Sequence, residues 1–157
     1  MFSPRIRGET IRTKSQVELE AMRHAGKIHA RTVALLREAI APGVTTGELD
    51  ALAEAAIREA GAEPSFKGYQ DYPAAICTAV NDVVVHGIPT AKQTLVEGDL
   101  VAVDVGVFWG GFHADGAFTV GVGEIDGKSK RLIAVTCEAL EVGIAQVRPG
   151  NTIRDIA

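Results

Sequence analysis

Two apolar runs, Leu100–Val105 and Phe112–Val122, stand on either side of Trp109-Gly110-Gly111, and each carries one aspartate. Apolar runs broken by glycines read as an antiparallel hairpin. Directly opposite residues of a hairpin share a constant index sum. A turn centred between Trp109 and Gly110 therefore puts Asp104 opposite Asp115 on one face. Cross-strand Cβ atoms are then ~5 Å apart, and like charges so placed repel. Leu100, Val101, Val103, Val105, Phe118 and Val120 make the setting apolar, which raises the cost of two charges. A shared proton, a cationic side chain or a bound metal would relieve it. The hairpin holds no Lys or Arg, and the Asp-Thr/Ser-Gly signature of aspartic proteases is absent. A divalent metal is the most economical remedy, and oxygen ligands admit Mg²⁺, Mn²⁺, Fe²⁺, Co²⁺ or Zn²⁺. Asp104 and Asp115 are thus expected to form part of a metal site in a hydrolytic enzyme. His113 shares their face, but a lone histidine beside a turn is more often structural or exposed.

The chain has 157 residues, 46% hydrophobic and 23% charged, which suits one domain with a real core. A net charge of −4 argues against the broad basic footprint of a nucleic-acid binder. Only the first part departs from this, with Arg5, Arg7, Arg12, Lys14, Arg23, Lys27 and Arg31 against Glu9, Glu18 and Glu20. Such a run reads as a solvated helix face, or more sharply as a weak docking patch for an anionic partner. No apolar run is long enough to span a membrane, and MFSPRIRGETIR lacks the apolar core of a secretory leader. Cys77 and Cys137 form neither a disulfide framework nor a metal knuckle, so a reducing cytoplasm is the expected compartment.

Residues 1–12 read as an irregular basic arm. Ser15 and Glu18 have capping-box spacing, and a helix is predicted from Ser15 to Ala39, carrying Val17, Leu19, Met22, Ile28, Val33, Leu35 and Leu36. Pro42-Gly43 stops it. Thr45 and Glu48 open a second helix that runs to Gly61. Ala74–Thr78 and Val83–Val85 are β-prone runs separated by a turn at Asn81-Asp82, and Asp126-Gly127 reads as another turn. A third helix is predicted from near Lys128, with Leu132, Ile133, Val135, Leu140, Ile144 and Val147, ending at Pro149-Gly150. The second Pro-Gly follows the first by 107 residues, and each is followed by a threonine, then an acidic and an apolar residue. This is an internal repeat, and repeated units bury a continuous core only with their neighbours.

The most specific stretch is Asn81-Asp82-Val83-Val84-Val85-His86-Gly87-Ile88-Pro89. A histidine at the end of an apolar strand, freed by a glycine, can reach into a cleft as acid, base or hydrogen-bond donor. Upstream, Phe66, Tyr69, Tyr72 and Cys77 supply aromatic rings and a soft sulfur, a set suited to a small apolar pocket or to ordinary packing. With PSFKGYQDYPAAIC, NDVVVHGIP, GDLVAVDVG and GFHADGAFTV together, the chain resembles type I methionine aminopeptidases over essentially its whole length.

The resemblance implies an α/β (α+β) pita-bread fold, of the creatinase/aminopeptidase kind: a first pseudo-symmetric half plus the start of the second. It implies removal of initiator methionine from nascent proteins by metal-activated water, with two divalent ions per complete site (Co, Mn, Fe, Zn or Ni). Asp104 is similar in place to a ligand of one ion, and Asp115 to the carboxylate bridging both. His86 corresponds to the histidine that contacts substrate and steadies the transition state. Phe66, Tyr69, Tyr72 and Cys77 correspond to the methionine-pocket lining, where Phe66 replaces a cysteine found in some members. Asn81 and Val83 match a monovalent-cation site, while His113 is a motif residue without a ligand role. The family's remaining ligands, a histidine and two glutamates, belong to the second half. The expectation is therefore a catalytic domain over 1–157 that is C-terminally incomplete and inactive or weakly active alone. Expected partners are nascent polypeptides and, from family behaviour and the basic arm, the ribosome, with no membrane and no sequence-specific nucleic acid. A non-catalytic pita-bread binding protein and a proline-specific relative are the alternatives.

Overall fold

Glu18 N–H donates to Ser15 Oγ while Ser15 N–H donates to the Glu18 carboxylate, and Thr45 and Glu48 repeat the exchange. These capping boxes start α1 (Gln16–Ala39) and α2 (Thr46–Glu59) where the spacings predict them. The computed structural model describes residues 12–157 and the backbone of β1 (Arg5–Ile6) and β2 (Glu9–Thr10), an antiparallel pair. The arm expected to be irregular thus contains a short strand pair; the rest of that expectation, at residues 1–4, 7–8 and 11, lies outside the described residues.

Helix α1 buries Ala25, Ile28, Thr32 and Leu36, a stripe three or four residues apart. Thr32 Oγ1 satisfies itself on the Ile28 carbonyl at 3.1 Å. Val17, Met22 and Leu35, expected within the apolar series, face outward. Gly43, at φ +94°, supplies the left-handed step after α1. Helix α2 buries Thr46, Leu49, Ala53 and Ile57.

Both helices lie on one face of a four-stranded antiparallel sheet. Strand β5 (Leu100–Trp109) is central. Strand β6 (Phe112–Gly121) pairs along one side, while β3 (Glu63–Pro64) and β4 (Ile76–Val80) pair along β5 on the other. Val101, Val103, Val105 and Val107 are fully buried beneath the helices. Strand alternation turns Ala102, Asp104, Gly106 and Phe108 to the opposite face.

The hairpin register differs from expectation. Gly110 and Gly111, at φ +59° and +84°, form the two-residue turn, so its centre lies one residue later. Every index sum rises by two: Asp104 pairs with Ala117, and Asp115 with Gly106. An even shift leaves the faces unchanged, so the two acids are diagonal neighbours on one face. Val83–Val85 is not a strand but an exposed loop, with Val84 87% exposed. Asn81, at φ +52°, turns the chain away, and only Gly87 returns to accept the Thr78 N–H at 2.9 Å. The valines have β propensity without a partner strand.

Asp126 is a helix cap rather than a turn residue: it accepts the N–H groups of Lys128 and Ser129 at the start of α3 (Gly127–Ala145). Thr152 and Asp155 form a third capping box on the one-turn α4 (Ile153–Ile156). Gly150, at φ +95°, matches Gly43, so the internal repeat is present in geometry. Its packing is not repeated, since α3 buries no residue. Leu132 and Val135 stand 107 residues after Ala25 and Ile28 and are 63% and 52% exposed.

Thr45→Ala should cost about 1 kcal/mol, read as a lower urea midpoint, because α2 is tied to the core. Thr152→Ala, capping a turn that buries nothing, should leave the global midpoint unchanged.

Candidate active site

Asp104 lies at the middle of the open sheet face, between Cys77 of β4 and Ala117 of β6 in the same ladder. Asp115 lies one diagonal step away on the same face. Burial first, then the neighbouring Asp115 charge, push the Asp104 carboxyl above its usual range; His86 opposes the shift. Two acids so placed require either a shared proton or a cation.

Gly106 clears the space beside Asp115. A Cβ there would lie 2.6 Å from Phe66 Cε1 and 2.8 Å from Ser65 Cβ. Ser65 N–H donates to the Gly106 carbonyl at 2.9 Å, which fixes the segment against β5. Ser65 Oγ also holds His113 Nδ1 at 2.9 Å, and the His113 ring lies 4.6 Å from that of Phe108. His113 is therefore engaged at the turn end of the hairpin.

The segment after Phe66 is anchored where Lys67 donates to Glu54 of α2 at 2.6 Å. Gln70 and Asp71 take φ of +48° and +63°. Left-handed backbone costs a non-glycine residue ~1–2 kcal/mol. Asp50 of α2 accepts the N–H groups of Ala75 and Ile76 at 2.8 and 3.1 Å, which sets the start of β4 just before Cys77. Tyr72 Oη lies 3.0 Å from the Ile76 carbonyl and 3.1 Å from that of Gly87. Burial drives the Cys77 thiol upward, and the Asp104 and Asp115 charges add to it, against a lowering hydrogen bond to Tyr72. Cys77 is thus a neutral, soft wall.

Together these elements line a half-open cavity of about 430 Å³. Phe66, Tyr69, Tyr72, Cys77, His86, Asp104 and Asp115, all named from sequence, line it. Asn81 and Val83 do not. Asn81 Nδ2 donates to Asp99 and its Oδ1 accepts the Leu100 N–H, so its side chain is already engaged. His86 reaches the cavity from the loop rather than from a strand end, at φ +57°. Gln70 and Ile88 also line it and were not singled out, although both lie inside the quoted motifs. Asp50 and Ser65 were missed because their partners are 25 and 48 residues away and leave no local signal.

Paired carboxylates are hard oxygen donors and fit a divalent ion. Among the described residues, however, no group of three or more His, Cys, Asp or Glu converges, so the pair supplies only part of a coordination shell.

The sequence profile of metallopeptidase family M24 matches residues 20–157. The chain belongs to metallopeptidase family M24. Methionine aminopeptidase 1 of Mycobacterium tuberculosis (strain CDC 1551 / Oshkosh) is 45% identical over 154 residues, covering 98% of this chain and 58% of that protein. The crystal structure of methionine aminopeptidase from Thermotoga maritima superposes with a TM-score of 0.86 at 41% identity, over 89% of this chain and 56% of that one. That from Rickettsia prowazekii gives 0.89 at 38%, over 93% and 58%. This M24 chain thus has the family's pita-bread fold, as expected, and spans 58% of the length of its M. tuberculosis relative.

Two outcomes follow for the metal-free M24 chain. An acid raised on folding keeps more protons in the native state, so its contribution to stability falls as pH rises through the gap above the ordinary carboxylate value. Asp104→Asn removes that burden and should raise the urea midpoint at pH 7, with the gain vanishing below the usual carboxylate range. Gly106→Ala should destabilise by about 1–3 kcal/mol in the same assay, because Phe66 must move.

Proposed function

We propose that the chain is the first pseudo-symmetric half, plus the start of the second, of the catalytic domain of a methionine aminopeptidase, which removes the initiator methionine from nascent polypeptides by hydrolysis. One observation carries this reading: two diagonal carboxylates lie beside an aromatic and thiol-walled cavity sized for a small ligand. Asp104 and Asp115 would hold the divalent metal, Asp115 as the carboxylate shared within a two-ion site. Such ions, when bound, supply an activated water and a Lewis acid for the scissile carbonyl. Phe66, Tyr69, Tyr72 and Cys77 enclose the methionine side chain, whose thioether is attracted to aromatic rings. His86 donates a hydrogen bond to the scissile amide as negative charge develops there. Any cation-binding role of Asn81 and Val83 falls to their backbone carbonyls.

Because two carboxylates are an incomplete ligand set, the chain by itself is inactive or weakly active. A cytoplasmic setting beside the ribosome fits this activity, and among the described residues no helix is long and apolar enough to cross a membrane. The same incompleteness favours, as a second reading, a non-catalytic binding protein on this fold.

Isothermal titration of the chain with Mn²⁺ should register weak binding that Asp104→Asn or Asp115→Asn abolishes. Strong chain-only hydrolysis of Met-Ala-Ser in Co²⁺ or Mn²⁺ would overturn the incomplete-site argument. Preference for a peptide with proline in second place would move the activity to the proline-specific relatives. Metal binding unchanged in both aspartate variants would remove the ligand assignment altogether.

A further inference from the structure

Tyr72 does more than wall the cavity. Its hydroxyl sits between two carbonyls, that of Ile76 at 3.0 Å and that of Gly87 at 3.1 Å, and shares its one proton between them; the Gly87 carbonyl is the group next in the chain to His86. That carbonyl also receives the Thr78 N–H at 2.9 Å, the bond that returns the loop to β4. Gly87 is packed so closely that a Cβ would lie 2.1 Å from the Thr78 carbonyl oxygen. His86, just before it, is held at φ +57°, a conformation costly for histidine and kept only when its surroundings impose it. On its other side Val84 and Val85 are exposed, and the loop's further described tie is the Val83 N–H to the Val80 carbonyl at 3.2 Å, four residues from Gly87. Two bonds to one carbonyl are therefore the described attachment at the point where His86 turns toward the cavity.

We propose that Tyr72 is a positioning residue, whose hydroxyl latches the Gly87 carbonyl and so sets His86 over the carboxylate pair. The proposal rests on the methionine aminopeptidase reading for the use of His86, but the latch is a property of the metal-free fold. The ring that touches the occupant of the cavity is then the ring that fixes His86, so filling the cavity and aligning the histidine are one event. Tyr69 provides the internal comparison. It lines the same cavity, but its hydroxyl meets only the Gln70 amide, at 3.3 Å.

The test is NMR on the metal-free chain, with ¹³C,¹⁵N-labelled histidine and amide hydrogen exchange. Tyr72→Phe keeps the ring and removes the latch. It should shift or broaden the His86 imidazole signals and speed exchange of the Thr78 amide by up to about fivefold, the worth of one full hydrogen bond, since the Tyr72 proton is shared with Ile76. Val101 and Val103 amides, in the central strand, should stay protected. Tyr69→Phe should move neither His86 nor Thr78. Replacing Tyr72 by 4-aminophenylalanine, which restores a donor at the same position, should return both signals toward wild type. Unmoved His86 signals in Tyr72→Phe would overturn the latch. If Tyr72→Phe also exposes Val101 and Val103, the 4-amino variant decides: recovery of the His86 signals supports the latch, and failure to recover them with the core intact overturns it. None of these readouts uses metal or peptide, so a failed latch and a failed aminopeptidase reading remain distinguishable.

Discussion

The alternation of one strand organises this molecule. In β5, Val101, Val103, Val105 and Val107 are fully buried under α1 and α2, and the intervening positions point to the opposite face, where Asp104 lines the cavity. The hydrophobic contacts that fix β5 in the sheet therefore also fix the height and direction of Asp104. Moving the carboxylate to the other face would expose the four valines from Val101 to Val107. Burying each such side chain stabilises by roughly 1.5–3 kcal/mol, so the packing outweighs the repulsion between two acids on the opposite side. The site tolerates an unfavourable electrostatic pair because its cost is borne by a rigid core.

Much of this was legible in the sequence because its signals are local. Ser15-x-x-Glu18 and Thr45-x-x-Glu48 announced two helix starts, and both capping boxes form. The hairpin was visible from its glycines, and the shared face of the two acids survived a register error because the error was even. What stayed hidden depends on distant partners. Nothing near Asp50 shows that its carboxylate will take two N–H groups at the start of β4, and nothing near Gly106 shows that Phe66 will occupy its missing side chain. The valine run after Asp82 misled because β propensity says nothing about whether a neighbouring strand exists.

Among the described residues four non-glycines take left-handed backbone: Gln70 and His86 line the cavity, Asp71 follows Gln70, and Asn81 opens the loop that carries His86. Each is held by bonds made nearby: Lys67 to Glu54 for the first segment, and the two donors on the Gly87 carbonyl for the loop. The sheet gives position to the carboxylates, whereas these loops give direction to the remaining side chains. Changes in α2, which contributes both Glu54 and Asp50, can therefore reach the cavity without touching it.

The bare face of α3 divides the described fold into two regions of different cooperativity. Helices α1 and α2 share buried side chains with the sheet, so their amides exchange with solvent only when much of the core opens. Helix α3 buries nothing, and its backbone hydrogen bonds can break turn by turn from either end without uncovering a valine of β5. Melting followed by helical signal and melting followed by Trp109, which packs against the core, need not coincide. A single unfolding free energy would then describe the first region rather than the whole chain.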